Sequence, residues 1–285
     1  MRRQPQRSGW PQLLPEDVVL DGWVRIYRNP AGERFRESDT FTFSAPWCNA
    51  RDIPAAEREA RGKEAQKAKE TAFAWDPSFG YLSPDPYHAG CGLEIGALLH
   101  LEGINLLGDL DATVNAFVAL RMSAMSHSED GLRNVAHIFK VNTDAPIGIS
   151  EGDLVARAQA AFSHAIDAEL NARRRLVLED PRVLEDAITR ALAILRSARL
   201  LTKWELADIL SPVRLAATLG FIDGIDIPEI DGYLVQQITS GEKSAPPRDI
   251  EEERARDRED AKFADLVNER FSSVRLNRRA RKELY

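Results

Sequence analysis

The chain has 285 residues, of which 44% are hydrophobic and 29% charged, a composition typical of a globular protein with a substantial core. Its net charge of −7 gives no electrostatic reason to expect a nucleic acid or an anionic membrane as partner. No apolar run approaches membrane-spanning length, no secretory signal opens the chain, and Cys48 and Cys91 are the only cysteines. We therefore expect a cytoplasmic protein without a disulfide framework or a metal site.

The first half of the chain predicts short strands with interspersed helices. Branched and aromatic residues over 18–27 predict a strand, whereas two prolines make 37–54 irregular. The Ala-, Glu-, Lys- and Arg-rich segment 55–71 favours a solvated helix or a connector. Further strands are expected over 94–104, 118–124 and 135–141, with a helix near 109–117.

The second half predicts helices. Asp153 is a candidate N-cap for a helix to about Arg174, and Pro181 suits the first position of the next helix. Leu184, Ile188, Ala191, Leu192 and Leu195 then share one apolar face.

Two further helix starts follow. Thr202 and Glu205 form a capping-box pattern, and Ser211-Pro212 is expected to open a separate short helix that Gly220 closes. After Gly241 the chain is very charged, but Phe263, Leu266, Val267 and Phe271 predict a docked or dimer-forming helix with a frayed basic end. The fold class is therefore α+β, an antiparallel sheet flanked by helices with a C-terminal helical region. The expected divisions are 1–150, 151–240 and 241–285.

One loop carries a family resemblance. The segment Phe79-Gly80-Tyr81-Leu82-Ser83-Pro84-Asp85-Pro86-Tyr87-His88-Ala89-Gly90-Cys91-Gly92 resembles the nucleophile-side loop of the ATP:guanido phosphotransferases, G-[YF]-L-[ST]-x-C-P-T-N-x-G-T. The family cysteine is Asp85 here, the asparagine is His88 and the final threonine is Cys91. The preserved frame implies the phosphagen-kinase-like fold, and the replacements imply altered chemistry.

The resemblance extends to the phosphate-binding arginines of the family. The stretch Leu20-Asp21-Gly22-Trp23-Val24-Arg25-Ile26-Tyr27-Arg28-Asn29 is similar to S-S-R-I-R-L-A-R-N, with Trp23 in place of the first arginine. The resemblance implies that Arg25, Arg28 and Arg121 are the phosphate contacts that remain from the family pattern. Glu94 replaces another arginine, and a carboxylate facing a triphosphate is repulsive. The family's acidic N-E-E-D-H segment has no counterpart here.

The C-terminal half resembles the bacterial protein-arginine kinases. Ser211-Pro212-Val213-Arg214-Leu215 lies in the stretch that is similar to their L-S-D-V-R-L-G, where a structural role is expected. Arg256-Asp257-Arg258-Glu259-Asp260-Ala261 is similar to their phosphoarginine-recognising R-D-x-x-R-A, with Asp260 replacing the second arginine. Arg256 and Asp257 are therefore candidate phosphoarginine contacts, and a solvated helical face is the alternative.

Three hypotheses stay open. In the first, the chain is a catalytically impaired relative, a pseudokinase, that binds a phosphoarginine-bearing protein or an active family member. In the second, it is an active Mg-ATP-dependent arginine phosphotransferase in which Asp85 does the work of the cysteine. In the third, it is a structural, homodimerising protein that needs no cofactor. Asp85, His88 and Cys91 are close in sequence, but their spacing matches no strong metal motif.

Overall fold

The structure is a computed structural model that describes residues 13–31, 39–126, 135–144, 148–240, 249–277, 280 and 282. The chain divides into two compact units. The sheet unit comprises 18–127 and 137–172, and the helical unit comprises 1–17, 128–136 and 173–285. The expected divisions 1–150, 151–240 and 241–285 stay predictions, and the observed division between Ala172 and Arg173 lies within a helix.

A five-stranded antiparallel sheet forms the sheet unit, in the order β2-β1-β5-β7-β6. Its strands are β1 (Val19–Arg28), β2 (Phe41–Trp47), β5 (Leu93–His100), β6 (Met122–Ser126) and β7 (Ile138–Thr143). Two short strands, β3 (Trp75–Asp76) and β4 (Gly80–Tyr81), pair with each other as a hairpin beside it.

Four helices pack around this sheet or follow its strands in the chain. They are α1 (Ile53–Lys67), α2 (Glu102–Leu106), α3 (Leu110–Ala119) and α4 (Glu151–Leu178), the last of which ends in the helical unit. α1 packs on β1 and β2 through Ala56, Ala60 and Glu64, whose spacing of four residues places them on one side of the helix. From α4, the Phe162 ring lies 4.9 Å from that of Trp47. The hydrophobic core of the unit lies between these helices and the sheet.

Packed helices make up the helical unit: α5 (Pro181–Ser197), α6 (Lys203–Thr218), α7 (Ile227–Ser240) and α8 (Ile250–Phe271). β8 (Ile222–Asp223) pairs with β9 (Arg275–Leu276). α5 packs against α6 and α8, and α6 packs against α7. The five apolar residues predicted to share a face of α5 are the five buried residues of that helix, which confirms the prediction.

The α+β prediction is confirmed, with corrections to individual elements. The segment 37–54 contains β2 and the start of α1, where an irregular course was expected. The strand expected over 94–104 ends at His100 and gives way to α2, and the strand expected over 118–124 begins only at Met122. Ser211-Pro212 opens no new helix, because Pro212 lies inside the continuous α6.

Helix α8 confirms the expected docked helix in part. Val267 and Phe271 are buried, but Leu266 is exposed, so the apolar stripe is narrower than predicted. The basic end expected after residue 277 lies almost entirely outside the described residues. Within the described part of the chain, no helix is both long and apolar enough to cross a membrane. The cytoplasmic location stays a prediction.

Candidate functional site

The sheet has one buried face and one partly open face, and the open face carries Arg25, Tyr27 and Glu94. Side chains alternate between the faces of a strand, so Trp23, Arg25 and Tyr27 share the face opposite to Val24 and Ile26, which are fully buried. Directly opposed residues of neighbouring strands share a face, which places Glu94 beside Arg25. We refer to this surface as the open face.

A carboxylate neutralises the arginine on the open face. Glu94 Oε2 lies 4.0 Å from Arg25 Nη1 and accepts a hydrogen bond of 2.6 Å from the Tyr27 hydroxyl. Burial, together with the hydrogen bond to Glu94, raises the pKa of Tyr27 well above its usual value, so the phenol stays protonated and continues to donate. Arg25, Tyr27 and Glu94 therefore form one polar cluster across β1 and β5.

The loop that resembles the family's nucleophile loop touches this cluster through His88. The His88 ring stacks on that of Tyr27, with centroids 3.7 Å apart and an interplanar angle of 13°. Asp85 caps the short helix over 86–88, since its Oδ1 accepts the Tyr87 N–H at 2.9 Å, and its Oδ2 lies 3.5 Å from His88 Nδ1. A chain of contacts thus runs from Asp85 through His88 and Tyr27 to Glu94.

Trp23 forms the floor of the open face next to that cluster. The ring lies against Gly96, where a Cβ atom would collide with the indole and with Asn142, so glycine is required there. Arg25 lies 4.7 Å and Lys140 lies 5.9 Å from the ring centroid, both within cation–π range. Trp23 Nε1 and Asn142 Oδ1 are buried without a hydrogen-bond partner among the described residues.

Arg28 lies on the opposite face of β1, fully buried. Its Nε donates to Glu64, its Nη1 donates at 2.9 Å to the carbonyls of Tyr27 and Cys91, and its guanidinium lies 3.5 Å from the Tyr81 ring centroid. Glu151 lies 3.7 Å from its Nη2. These contacts fix the Arg28 side chain beneath the sheet, so its role there is structural.

The other candidate residues lie elsewhere. Arg121 is exposed in the turn between α3 and β6, where its φ of 54° is in the left-handed region. Arg256 and Asp257 lie on α8 of the helical unit, and Arg256 Nη2 is 3.6 Å from Glu252 one turn earlier. Hence the structure does not bring Arg25, Arg28 and Arg121 together on one surface.

Sequence reasoning missed four residues that shape the two arginine environments. Lys140 and Asn142 lie on the open face, and the alternation of apolar and polar residues from Phe139 to Asn142 was the sequence signal that could have found them. Glu64 and Glu151 hold Arg28, but no sequence pattern pairs residues so far apart along the chain. Among the described residues, no group of three potential metal ligands occurs.

Two sequence families match this chain. The C-terminal catalytic domain of the ATP:guanido phosphotransferases matches 57–172, and the C-terminal domain of the protein-arginine kinase McsB matches 181–281. The first match lies mostly in the sheet unit, and the second lies within the helical unit.

Individual proteins are similar over about half of the chain. A protein-arginine kinase of Bacillus cereus (strain G9842) is 32% identical over 157 residues, 55% of this chain and 44% of the relative. One from Clostridium kluyveri is 29% identical over 164 residues, 58% of this chain and 48% of the relative. The chain thus spans about half the length of the curated relatives it matches.

Two kinases of solved structure resemble this chain to a limited extent. The duplicated taurocyamine kinase of Schistosoma mansoni, with bound transition-state-analogue components, superposes with a TM-score of 0.45 at 9% identity, covering 64% of this chain and 39% of that one. A lombricine kinase superposes with a TM-score of 0.40 at 12% identity, covering 56% and 71%.

Proposed function

Since this chain belongs to the ATP:guanido phosphotransferase family and resembles its protein-arginine kinases, we propose that it is a catalytically impaired member that acts by binding a partner. The observation that carries the proposal is the pairing of Arg25 with Glu94 on the open face. The partner is an active relative or a protein that bears phosphoarginine.

Phosphoryl transfer from ATP requires several positive groups that converge on the phosphates. Among the described residues, Arg25 and Lys140 are the cations of the open face, and Glu94 offsets one of them. A triphosphate at Arg25 would also meet the Glu94 carboxylate, and this repulsion opposes binding. Mg-ATP therefore fits this set of residues poorly.

Arg28 and Arg121 do not supply the positive charge that the open face lacks. Recruiting Arg28 to the open face would break its contacts to Glu64 and to the Cys91 carbonyl and would leave a buried carboxylate unpaired. Arg121 is exposed beyond the end of α3. Both placements support a loss of phosphate binding.

The test is phosphoryl transfer to an arginine-rich acceptor protein. We expect no acid-labile phosphoarginine, detected by mass spectrometry under neutral conditions, when the chain is incubated with Mg-ATP beside the active Bacillus cereus relative as control. A Glu94→Arg variant should gain measurable Mg-ATP binding, because it removes the repulsion and adds a phosphate donor. An Arg25→Ala/Glu94→Arg double variant measures how much of that gain depends on Arg25.

The second candidate function, an active arginine phosphotransferase, depends on Asp85. By the loop resemblance Asp85 corresponds to the family cysteine, its side chain is 35% exposed, and its Oδ2 lies 3.5 Å from His88 Nδ1. This candidate predicts a phosphoarginine signal that disappears in Asp85→Asn, a variant that keeps an oxygen to accept the Tyr87 N–H and removes only the charge. Such a result would overturn the impaired-kinase proposal.

Phosphoarginine binding by the helical unit is a separate part of the proposal. The Arg256 side chain is one-third exposed on α8, and it would have to exchange Glu252 for a phosphoryl group. Asp260, which replaces the second arginine of the pattern, lies one turn away, and burial with the nearby Asp257 raises its pKa. Titration with a phosphoarginine peptide should show binding that Arg256→Ala abolishes. If Arg256→Ala binds the peptide as the parent chain does, or if the parent chain does not bind it, this part of α8 is a solvated helix face. Either result would favour the purely structural, dimerising alternative.

A further inference from the structure

The two edges of the five-stranded sheet differ in how they are protected. β2 forms one edge and β6 forms the other. An exposed strand edge offers its backbone N–H and C=O groups to any further strand, and proteins commonly block it with proline or with charged side chains. On β2, Pro46 has no N–H to offer, and Lys63 Nζ donates to the Ser44 carbonyl at 2.7 Å. The β2 edge is therefore blocked within the chain.

β6 carries neither kind of block. The strand Met122–Ser126 reads Met-Ser-Ala-Met-Ser, without a charged residue or a proline. Among the described residues, no strand pairs with its outer side. Ala124 is partly exposed and Met125 is 55% exposed, so the described part of the chain leaves this edge accessible.

The hydrogen bonds to β7 determine which backbone groups of β6 point outward. The two strands are antiparallel, and just before β6 the Arg121 carbonyl accepts the Asp144 N–H at 3.3 Å. Hydrogen-bonded and non-hydrogen-bonded pairs alternate along an antiparallel ladder, so Ser123 and Met125 also bond to β7. The N–H and C=O of Ala124 therefore point away from β7, toward the outer side of the sheet.

Apolar surface continues from this edge into the preceding helix. α3 leads into β6, and Phe117 is its one buried residue. Val118 near the end of that helix is 62% exposed, and Leu120 just after it is 39% exposed. Single exposed apolar residues are common on protein surfaces, but these two and Met125 belong to one short segment. An accessible strand edge flanked by apolar side chains is typical of a surface that pairs with another protein strand.

A second copy of the chain fits this edge. Each copy carries a net charge of −7, so two copies repel each other, and an uncharged segment is the surface at which this repulsion is smallest. Two β6 strands that pair antiparallel about a two-fold axis at Ala124 are self-complementary. The two Ala124 residues then exchange N–H···O=C bonds, and Ser123 lies opposite Met125 of the second copy, so no like charges face each other.

We propose that two copies of the chain associate through their β6 strands and thereby join their sheets into one continuous sheet. A five-residue strand with a few apolar neighbours buries less surface than a standard protein interface, so the dimer is weak and its population depends on concentration. The proposal concerns the sheet edge and does not depend on whether phosphoryl transfer is lost.

The test is sedimentation velocity of the full chain, without nucleotide, at concentrations from about 1 µM to about 1 mM. We expect the dimer fraction to rise with concentration. Ala124→Pro should weaken the dimer at least about tenfold, because it removes the N–H at the axis but no bond to β7. Ser44→Pro is the matched control, since it makes the same change on the blocked β2 edge and should leave the association unchanged. Circular dichroism checks that both variants are folded.

A pair of charged double variants tests the register without proline. Ser123→Glu/Met125→Glu places only negative charges at the axis, and Ser123→Lys/Met125→Lys places only positive ones. Each variant alone should lose the dimer, whereas an equimolar mixture should form a heterodimer, because opposite charges face each other in the proposed register. This measurement carries the decision if Ala124→Pro does not fold.

Four outcomes would overturn the proposal. The chain could stay monomeric at about 1 mM, the dimer could persist in Ala124→Pro, or both charged variants could dimerise as tightly as the parent chain. The fourth is a dimer that Leu266→Lys abolishes and the β6 variants leave intact; Leu266 is 65% exposed on α8, so this result would assign the dimer to the helical unit. Phosphoryl transfer is measured separately, so either proposal can fail without the other.

Discussion

At the scale of single residues, Arg28 shows how a residue kept from a functional pattern can serve the fold. Its guanidinium has no exposed surface and is surrounded by Glu64, Glu151, the carbonyls of Tyr27 and Cys91 and the Tyr81 ring. A buried charge is tolerated only when it is paired and hydrogen-bonded, so these partners are a condition for folding the sheet unit.

Glu64→Gln tests this role. It leaves the buried Arg28 without its principal counter-charge, and we expect a loss of about 3–5 kcal/mol in the free energy of unfolding. Lys63→Ala is the neighbouring control, because Lys63 pairs with Glu59 on the exposed side of the same helix, where a pair contributes below about 1 kcal/mol. Urea denaturation followed by circular dichroism measures both variants. Equal, small effects would mean that Arg28 is solvated and free to move.

At the scale of elements, periodicity was a strong guide for helices and a weaker one for edge strands. All five buried residues of α5 were predicted from the sequence, because apolar side chains at helical spacing lie on one face of a helix. β2 was missed because Pro46 argued against a strand, yet Ala45 and Trp47 are buried and alternate with exposed neighbours. β2 is the edge of the sheet, where a missing N–H is tolerated.

Pro212 misled the prediction for a related reason. A proline inside a helix costs about 3 kcal/mol, which favours a break. Leu210, Val213 and Leu215 around it are all fully buried, and their packing outweighs that cost in a continuous α6.

Two isoleucines of α5 provide the test at this scale. Ile188 has no exposed surface, so Ile188→Ala should lower the free energy of unfolding by about 2–5 kcal/mol. Ile194 is 39% exposed, and Ile194→Ala should cost below about 1 kcal/mol. Both substitutions remove the same atoms from the same helix, so thermal or urea denaturation compares burial alone. A larger effect at Ile194 would contradict the observed orientation of α5.

At the scale of the whole molecule, each unit is closed by contacts between residues far apart in sequence. In the helical unit, Arg214 is buried, pairs with Asp231 through its Nε at 2.5 Å and donates to the Asp17 carbonyl at 2.6 Å. Arg173 donates to the same carbonyl at 3.1 Å. These bonds tie the segment before β1 to the helices and give Arg214 the structural role that its sequence context predicted.

Arg214→Ala should therefore destabilise the helical unit strongly. It leaves Asp231 without its partner and the Asp17 carbonyl with one donor fewer, for which we expect a loss of about 3–5 kcal/mol. Arg175→Ala is the control, because Arg175 pairs with Glu179 on an exposed helix surface. Hydrogen exchange across α6 and α7 measures the loss where it arises. Protection as in the parent chain would show that the buried pair contributes no net stability.

The sequence by itself determined the α+β class, the resemblance to the ATP:guanido phosphotransferases, most helices of the second half and the residue types of the altered loop, because periodicity, caps and motif spacing are local properties. Only the tertiary structure decided what the arginines do. Arg25 and Arg28 look equivalent in the sequence, but three residues along a strand separate them onto opposite faces. Pairing of β1 with β5 then places Glu94 against Arg25, and folding of α1 and α4 brings Glu64 and Glu151 to Arg28. These contacts join distant parts of the chain, so the charge around each arginine is a property of the folded sheet.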